Sequence, residues 1–509
     1  MKSKRNKPKG RKLGWFLCIM QALITAGFIA GLLVLDLLPI KYALPIIVFL
    51  VIFWVIPFTN HMICRKRIWA GRLLSIFMSV ILLCGSVYVV KAQGMLSSIS
   101  NNGEKVDKMV VAVLKDDPAK NIKDAKNYEF GIQLALKPDD TKEAVNEINE
   151  KLKEKINTVQ YDNLTEQVDA LYKHDVKAII YNDAYTSVIK EHYTDFENSI
   201  KIIYSHDIVN KLEESIDVTT NVTEPFTVYL SGIDVAGSID TTGRSDVNIL
   251  AVVNPKTHQV LLITTPRDYH VVIPGISNGM EDKLTHAGIY GVDASMATLS
   301  QLYDVDVDYY VRVNFTSLPQ IVDALGGVEV ESEFEFTTHP DSGDVMHVKK
   351  GMNSFNGKEA LVFARERQNV PGGDFQRGKD QQAVITAMMK KAISPAILAG
   401  AFDIIDSVSS NVDTNMPPRF IKGLVKSQIS EPSSWQVTSM AAEGTPASGV
   451  CFSAQGSNLS ICIPDELSVS NIKEAVDKII AGMPLENAEI IEDHSQDNNE
   501  DSTKDHMDN

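Results

Sequence analysis

Residues 247–268 read VNILAVVNPKTHQVLLITTPRD, and this stretch gives the clearest indication of the fold expected for the larger part of the chain. Two apolar runs at 247–253 and 260–264 flank a turn signal at Asn254-Pro255-Lys256, so the stretch predicts a β-hairpin. Around it we predict strands at 228–233 and 307–314 and helices at 294–303, 317–325, 358–365, 374–392 and 469–481. Strands interleaved with helices indicate an α/β domain.

Three apolar runs near the N-terminus predict a membrane anchor. They span residues 13–35, 42–58 and 73–90, and a helix needs about 17–25 apolar residues to cross a bilayer. No small-residue cleavage site follows the first run, so we expect a retained helix and not a signal peptide. Lys and Arg precede the first run and fill the second loop, which puts the N-terminus in the cytoplasm and everything after Lys91 outside. We therefore expect a multi-pass protein of the cell membrane with extracytoplasmic C-terminal domains.

The charge of the 509-residue chain is divided unevenly, and its formal net value is −16. Residues 1–91 contain 13 Lys and Arg against a single acidic residue, Asp36, whereas the remainder contains 36 against 64 Asp and Glu. A phosphate backbone needs a basic protein surface, so an acidic body on a basic, apolar anchor argues against nucleic acid as a partner. It also argues against a simple cytosolic enzyme.

We expect four segments along the chain. Residues 1–91 form the cytoplasmic N-terminus and three transmembrane helices, and residues 92–222 form a small α/β accessory domain outside the membrane. In that domain β-like runs at 109–114, 130–136, 177–181 and 200–204 alternate with helical stretches at 141–156 and 164–171. It carries no recognisable chemistry. Residues 223–487 form the second α/β domain, and residues 488–509 form an acidic tail that we expect to be disordered.

Arginine is scarce outside the anchor, and its positions are informative. Residues 92–509 contain 29 Lys but only seven Arg. Lys serves for surface charge, whereas the planar guanidinium fork is suited to holding phosphate or carboxylate oxygens in pairs. Five of the seven lie in short contexts rich in acidic or turn residues: Arg244, Arg267, Arg365, Arg367 and Arg377. Together they predict a phosphate-binding site, and the alternative is a set of structural Arg–Asp pairs.

The geometry of two segments bears on this site. Arg365 and Arg367 point to different faces of a regular helix, so a shared ligand requires the helix to end between them. In the helix that starts at Asp374, one face carries polar residues first and apolar residues later: Asp374, Arg377, Gln381, Ile385 and Met388. Such a face suits a ligand with a charged head and a greasy tail, and ordinary core packing is the alternative for its apolar members.

Two carboxylates accompany the arginines. Asp234 ends the predicted strand 228–233, and Asp246 follows a Gly-Arg-Ser turn. Mg²⁺ is a hard ion that takes one or two carboxylates together with substrate phosphate oxygens, so this pair of residues suits Mg²⁺. Arginines and Mg²⁺ together indicate a diphosphate site.

Cys451 and Cys462 are the two cysteines expected outside the membrane. They flank Gln455-Gly456-Ser457-Asn458, a turn signal between two short apolar runs, so we expect a hairpin there. A disulfide across the hairpin fits an oxidising compartment, and two buried free thiols are the alternative.

At these residues the chain resembles the LytR-CpsA-Psr family. The resemblance covers residues 226–393 and extends more loosely to about residue 485. It rests on ordered motifs: Gly232-Ile233-Asp234, Arg244-Ser245-Asp246, Pro266-Arg267-Asp268, Lys283 before Ala287, residues 322–328, Gly357-Lys358-Glu359-Ala360-Leu361, Ala364-Arg365-Glu366-Arg367, and residues 374–381. The three apolar runs and the extra domain are similar to the CpsA-type layout within the family.

The resemblance implies a central mixed sheet flanked by helices and an activity in the cell envelope. Family members are phosphotransferases that move a glycopolymer, capsular polysaccharide or teichoic-acid-like, from an undecaprenyl-diphosphate carrier to peptidoglycan. By this resemblance, Asp234 and Asp246 hold Mg²⁺, and helices 294–303 and 317–325 enclose the prenyl chain. The residues implied to bind the diphosphate are Arg244, Arg267, Lys283, Arg365, Arg367, Arg377 and Gln381.

Three residues are expected to take part in the transfer itself: Arg267, Asp268 and Asp374. A sugar hydroxyl attacks the glycan-side phosphorus and lipid monophosphate leaves, a reaction that asks the protein mainly for positioning and charge stabilisation. Either Asp268 or Asp374 accepts the hydroxyl proton, or each orients an arginine. The chain departs from the family pattern at Asp380, where many members carry Arg, and at Thr265, where many carry Ser.

Two other functions need the same arginines. One is a non-catalytic polyprenyl-phosphate-binding regulator of capsule assembly, with capsule assembly proteins as partners, and the other is a lipid-linked pyrophosphatase. A transcriptional regulator is disfavoured, because about 12 N-terminal residues and one short loop cannot fold into a DNA-reading domain.

Overall fold

The computed structural model describes residues 11–36, 38–63, 68–99, 104–211, 222–233, 239, 241–315, 317–392, 412–430, 433–485 and 489–491. The chain forms two compact units. One contains the N-terminal helices and the helix Pro418–Ser430, and the other contains both α/β domains. Asp234, one of the two predicted metal ligands, lies outside the described residues, as does most of the predicted tail.

The first unit confirms the three apolar helices of the anchor. They span Arg11–Leu35, Ile40–Ile63 and Ile68–Ile99. Each contains a stretch of 23 residues that is long enough and apolar enough to cross a bilayer. Many large apolar side chains on these helices face outward, which is typical of a membrane span and not of a helix in a water-soluble core.

An amphipathic helix, Pro418–Ser430, belongs to the same unit. Ile421 and Val425 on its apolar face pack beside Leu35 and Val89 of the N-terminal helices. This helix therefore covers part of the apolar surface of the anchor.

The accessory domain is built on a five-stranded mixed sheet with the order β3-β2-β4-β1-β5. Its strands are β1 Glu104–Leu114, β2 Glu129–Gln133, β3 Asn157–Tyr161, β4 Ala178–Asn182 and β5 Ile200–Lys211. Its helices are Pro138–Leu152, Leu164–Tyr172, Thr186–His192 and Phe196–Ser199. The four predicted β-like runs and both predicted helices are confirmed. Strand β3 was not predicted, because it lies at the sheet edge and has no buried residue to produce an apolar alternation.

The second α/β domain has a seven-stranded mixed sheet. The described strands of the whole domain, including those outside this sheet, are in chain order β6 Phe226–Ile233, β7 Ser245–Asn254, β8 Gln259–Thr265, β9 His270–Val272, β10 Glu281–Lys283, β11 Tyr309–Asn314, β12 Val328–Ser332, β13 Phe336–Thr337, β14 His347–Val348, β15 Gly351–Phe355, β16 Val412–Thr414, β17 Trp435–Ala441, β18 Gly444–Val450, β19 Asn458–Pro464 and β20 Glu489–Ile491. The sheet order is β16-β11-β6-β7-β8-β17-β20. The antiparallel hairpin predicted from residues 247–268 is β7–β8, while β6 pairs in parallel with β11 and β8 with β17.

Burial and helix capping explain how the elements of this domain form. Every residue of β6 is buried, as in a sheet covered on both faces. The predicted helices are confirmed as Val292–Tyr303, Leu318–Ala324, Gly357–Arg365, Asp374–Ala392 and Glu466–Ile480, and Leu284–Tyr290 is a further one. The helix Gly357–Arg365 begins at a capping box, in which Asn356 and Glu359 each accept the backbone N–H of the other.

The hairpin predicted at the two cysteines is confirmed as β18–β19, but the expected disulfide is wrong. Pro446 lies opposite Cys462, whereas Cys451 follows Val450, which lies opposite Asn458. This register separates the two cysteines by five residues, or about 16 Å along the strands, well over twice the Cα distance that a disulfide spans. Both thiols are free and buried, in two different apolar clusters, which is the alternative reading of the sequence.

Candidate functional site

A cleft of about 1650 Å³ lies at one edge of the central sheet. In the antiparallel β7–β8 pair, Asn248 near the start of one strand lies opposite Thr265 at the end of the other. Asp246, at the start of β7, and Arg267, just after β8, therefore meet and line the cleft. Four more charged side chains line it at this end: Glu191, Arg244, Asp268 and Lys283. The structure thus brings five of the residues predicted from the sequence into one site, together with Glu191.

Arg267 and Asp246 form the first ion pair of the site. Arg267 Nη1 donates to Asp246 Oδ1 at 3.0 Å, and Thr285 Oγ1 donates to the same oxygen at 3.3 Å. The Thr285 N–H also donates to the Arg267 carbonyl at 2.8 Å, which fixes the backbone of the Pro266-Arg267-Asp268 motif. Burial would lower the pKa of Arg267, but the charges of Asp246 and Asp268 raise it above its ordinary value. Arg267 is therefore a permanent cation on the cleft wall.

Lys283 is a second cation at this end and is almost fully buried. Its Nζ lies 2.5 Å from Glu191 Oε2 and 3.3 Å from Asp268 Oδ1. Asp268 also faces Arg267, with 3.7 Å between its Oδ2 and the guanidinium Nε. Its carboxylate thus lies between two cations. Two roles were expected for Asp268, accepting the hydroxyl proton or orienting an arginine, and this position favours the second.

Arg244 completes the group of cations through a residue of the accessory domain. Its Nη1 donates to Glu191 Oε1 at 2.9 Å. Glu191 comes from the helix Thr186–His192, and 53 residues separate it from Arg244 in the sequence. Sequence analysis missed Glu191, because no short motif marks a carboxylate whose partners are all distant in the chain.

A buried relay extends from Glu191 away from the cleft. His286 Nε2 lies 3.5 Å from Glu191 Oε1, and its Nδ1 lies 2.7 Å from Asp282 Oδ1. The backbone N–H and hydroxyl of Ser453 donate to the other Asp282 oxygen at 2.9 and 2.5 Å. Burial would lower the pKa of His286, but the charges and hydrogen bonds of Asp282 and Glu191 raise it. Burial would raise the pKa of Glu191, yet His286 and Lys283 hold it well below its usual value. The two carboxylates thus favour the protonated form of the imidazole that lies between them.

Arg365 and Arg367 lie at a helix end, as their spacing required. The helix Gly357–Arg365 ends at Arg365, and both arginine side chains are exposed. Glu366 between them is buried, and its carboxylate accepts backbone N–H groups from four residues: His339 at 2.5 Å, Arg367 at 2.8 Å, Gln368 at 2.7 Å and Asn369 at 3.0 Å. Within the described chain, neither arginine is among the residues that line the cleft. Their predicted part in diphosphate binding stays a prediction.

The long helix Asp374–Ala392 lines the cleft with a face next to the predicted one. Ile385 and Met388 are buried, so core packing accounts for them. Gln381 is also buried, and its Oε1 has no hydrogen-bond partner among the described residues. The cleft-lining side chains are instead those of Lys379, Gln382, Ala383, Thr386, Ala387, Lys390 and Lys391. Neither Gln381 nor the partly exposed Arg377 appears in this lining, and the position of the Asp374 side chain lies outside what the structure describes.

The cleft continues from its charged end along a partly apolar wall. Ala383 and Ala387 of the long helix and Pro446, Leu459 and Ile461 of the β18–β19 hairpin are apolar members of its lining. The helices Val292–Tyr303 and Leu318–Ala324 contribute no side chain to the described lining. Their expected part in enclosing the prenyl chain stays a prediction.

Asp380, one of the two departures from the family pattern, is buried on the long helix. Its Oδ1 accepts from Gln376 Nε2 at 3.0 Å, and its Oδ2 has no partner among the described residues. Burial raises the pKa of Asp380 to about 7, against the lowering effect of the Gln376 hydrogen bond. Where many family members carry Arg, this chain therefore has a buried carboxyl group whose neutral form is favoured by burial.

Comparison with known proteins defines the class to which this fold and site belong. The LytR_cpsA_psr family model matches residues 192–478, which is over half of the chain. The protein therefore belongs to the LytR-CpsA-Psr family.

Two curated relatives and one solved structure show how far the similarity extends. The chain is 34% identical over 225 residues to the polyisoprenyl-teichoic acid–peptidoglycan teichoic acid transferase TagU of Bacillus cereus (strain AH820), covering 44% of this chain and 71% of that one. It is 34% identical over 227 residues to the enzyme of the same name from Enterococcus faecalis (strain ATCC 700802 / V583), with the same two coverages of 44% and 71%. The crystal structure of B. subtilis TagV aligns with 52% of this chain and 99% of its own at 26% identity, with a TM-score of 0.43.

Proposed function

We propose that this protein is a membrane-anchored transferase that moves a glycopolymer from an undecaprenyl-diphosphate carrier to peptidoglycan. The observation that carries the proposal is the convergence of Arg244, Arg267 and Lys283 on one cleft that continues along an apolar wall. The curated relatives are named as transferases that act between a polyisoprenyl-linked teichoic acid and peptidoglycan, which supports the same class of reaction here. The polymer is a capsular polysaccharide or a teichoic-acid-like chain.

The chemistry requires charge stabilisation more than covalent participation by the protein. A sugar hydroxyl oxygen of the acceptor forms a bond to the glycan-side phosphorus, and the bond from that phosphorus to the bridging oxygen breaks. The electron pair leaves with the lipid monophosphate, and the hydroxyl proton passes to a carboxylate. Arg244, Arg267 and Lys283 hold the diphosphate oxygens as charge builds on the leaving group, with Arg365, Arg367, Arg377 and Gln381 as further proposed contacts. Asp268 orients two of the cations, which leaves Asp374 as the candidate for proton acceptor.

The site fits a Mg²⁺ ion shared between the protein and the substrate. Asp246 lines the cleft, and Asp234 directly follows Ile233, whose strand partner is Ser245 beside Asp246. Among the residues that the structure describes, no group of three or more His, Cys, Asp or Glu side chains is arranged to hold a metal ion. Mg²⁺ takes one or two carboxylates and completes its shell with phosphate oxygens and water, so Asp234 and Asp246 would suffice as its protein ligands. When bound, the ion would neutralise charge on the diphosphate.

The anchor places the reaction at a membrane, and we propose the orientation from the charges around the helices. With the N-terminus in the cytoplasm, residues after Lys91 lie on the outer side, where peptidoglycan is found. Anchoring the enzyme in the membrane that holds its lipid substrate raises the effective concentration of one for the other.

Transfer is tested with the purified full-length chain in lipid nanodiscs. The chain is incubated with an undecaprenyl-diphosphate-linked glycan, labelled in the sugar, and with peptidoglycan. We expect labelled peptidoglycan, lost in Arg267→Ala and retained in Arg419→Ala, an exposed arginine that does not line the cleft. Binding of the lipid without any covalent product would mean that the protein is a regulator. Release of free labelled polymer would mean that it is a pyrophosphatase.

A further inference from the structure

We infer that the accessory domain completes the diphosphate site, with Glu191 as the positioning residue for Arg244 and Lys283. The inference rests on the proposed function, because it assigns Glu191 a part in binding the lipid diphosphate. Neither the family motifs nor the match to the family, which begins at residue 192, includes Glu191.

Glu191 holds cations without using up their capacity to bind a ligand. Its carboxylate contacts Arg244 at 2.9 Å, Lys283 at 2.5 Å and His286 at 3.5 Å. A guanidinium has five N–H donors and an ammonium has three, so these contacts leave donors on Arg244 and Lys283 for phosphate oxygens. The side chain of Lys283 is 5% exposed, and an ammonium group buried to this extent needs carboxylate partners that are fixed in place.

The accessory domain also holds the backbone that carries Arg244. Val106 of β1 forms a parallel bridge with Thr241, and its carbonyl accepts the Thr242 N–H at 3.3 Å. Thr242 Oγ1 donates to Asp107 Oδ1 at 2.7 Å. The segment just before Arg244 thus contacts one strand of the accessory domain. The guanidinium of Arg244 contacts Glu191, which lies on a helix of the same domain.

The position of Asp107 and of the Glu191 helix is itself fixed by buried contacts. Asp107 is held from its own domain by Lys137 Nζ at 2.6 Å and Asn182 Nδ2 at 3.0 Å. Val188, one turn before Glu191, belongs to an apolar cluster that includes Ile289 and Phe452 of the second domain. This packing leaves Glu191 little freedom to move, which is what a positioning residue requires.

The test compares lipid binding among variants of the full-length chain in nanodiscs, with undecaprenyl diphosphate as the probe. Glu191→Gln keeps the shape of the side chain but removes its charge, and we expect binding about tenfold weaker or more. Glu197→Gln is the matched control, since Glu197 lies in the same domain and pairs with Lys190 at 2.6 Å on the surface. Thr242→Val, which removes the hydrogen bond to Asp107, tests the backbone tie independently and should also weaken binding.

A double variant separates positioning from a general loss of structure. Because Glu191 acts on both Arg244 and Lys283, Glu191→Gln should weaken binding clearly less in the Arg244→Ala background than in the unmodified chain, since only its effect through Lys283 remains. Losses that add in full, or Glu191→Gln binding equal to that of the unmodified chain, would overturn the inference. Tighter binding by Glu191→Gln would also overturn it, because Glu191 would then compete with the ligand. If the unmodified chain fails to bind the lipid, the proposed function fails instead.

Discussion

The guanidinium of Arg267 donates to the carboxylate of Asp246 at 3.0 Å, joining the end of β8 to the start of β7. The pair places a cation for phosphate beside a carboxylate suited to a divalent ion. In the proposed function one diphosphate engages Arg267 directly and Asp246 through Mg²⁺, so Asp246 can be tested by the Mg²⁺ requirement and Arg267 by the transfer rate.

Asp246→Asn should raise the Mg²⁺ concentration that gives half-maximal transfer, because an amide oxygen is a weaker ligand for a hard cation than a carboxylate. Transfer measured across a Mg²⁺ series after removal of metal by EDTA checks this. Asp477→Asn, an exposed residue on the last helix, is the control. An unchanged Mg²⁺ requirement in Asp246→Asn would remove this residue from the metal site.

Arg267→Lys should lose most of the transfer rate, although the charge is kept. An ammonium cannot reproduce the planar fork that contacts Asp246 and still presents donors to the substrate. We expect a fall of about tenfold or more, and Arg267→Ala should fall further. Initial rates at saturating lipid substrate, with folding checked by thermal unfolding, make the comparison. A Lys variant as active as the original would mean that Arg267 supplies charge alone.

The convergence of Arg244, Asp246 and Arg267 could be predicted from the sequence. All three lie at the same end of one predicted antiparallel hairpin, where its first strand begins and its second strand ends. Adjacent antiparallel strands bring the start of one beside the end of the next, so spacing along the chain translates directly into proximity. The helix end between Arg365 and Arg367 was predicted for a different reason, namely that two arginines at this spacing can share a ligand only if the helix ends between them.

Other features of the site depend on packing that the sequence pattern does not encode. Successive residues of an α-helix are rotated by about 100° around its axis. Two adjacent faces of one helix therefore show a similar spacing of polar and apolar residues along the sequence. Gln381, Ile385 and Met388 of the predicted face are buried. The face through Gln382 lines the cleft instead, and Gln382 Nε2 donates to the Thr265 carbonyl at 3.2 Å. Glu191 reaches the site only through the docking of two domains, which no local motif reports.

Glu366→Gln should loosen the turn that carries Arg365 and Arg367. Burial would raise the pKa of Glu366, but backbone N–H groups hold it below its usual value. Its stabilising effect is therefore present above the unfolded-state pKa and is lost as the pH falls through the lower folded-state value. The side-chain amide of Gln has one acceptor oxygen where the carboxylate of Glu has two. We therefore expect the free energy of unfolding to fall by about 1–3 kcal/mol at pH 7.

Thermal unfolding at pH 7 and at pH 3 checks this expectation, since the difference between Glu366→Gln and the original chain should shrink in acid. Glu335→Gln is the control, because Glu335 is exposed and its one ion pair within the described part of the chain is with His347, at 3.4 Å. If Arg365 and Arg367 bind the diphosphate, Glu366→Gln should also raise the lipid concentration needed for half-maximal transfer. Equal stability at both pH values would contradict the role assigned to the Glu366 carboxylate.

Asp380→Asn should stabilise the protein above neutral pH. Burial raises the pKa of Asp380 to about 7, so the folded chain holds this proton more tightly than the unfolded chain does. Stability should therefore fall as the pH rises from about 4 to 7 and change little beyond that on account of this group. Asn resembles the protonated acid and still accepts from Gln376, so the variant escapes the cost of a buried charge. One pKa unit corresponds to about 1.4 kcal/mol, which gives a gain of roughly 2–4 kcal/mol at pH 8.

The measurement is the midpoint of thermal unfolding of the full chain at pH 4.5 and pH 8, for the original and for Asp380→Asn. The variant should match the original at the lower pH and exceed it at the higher one, which a general improvement in packing would not do. Asp477→Asn, exposed on the last helix, should follow the original at both. A variant that is less stable than the original at pH 8 would mean that the Asp380 carboxylate is charged and has a cationic partner, because removing a paired buried charge destabilises a protein.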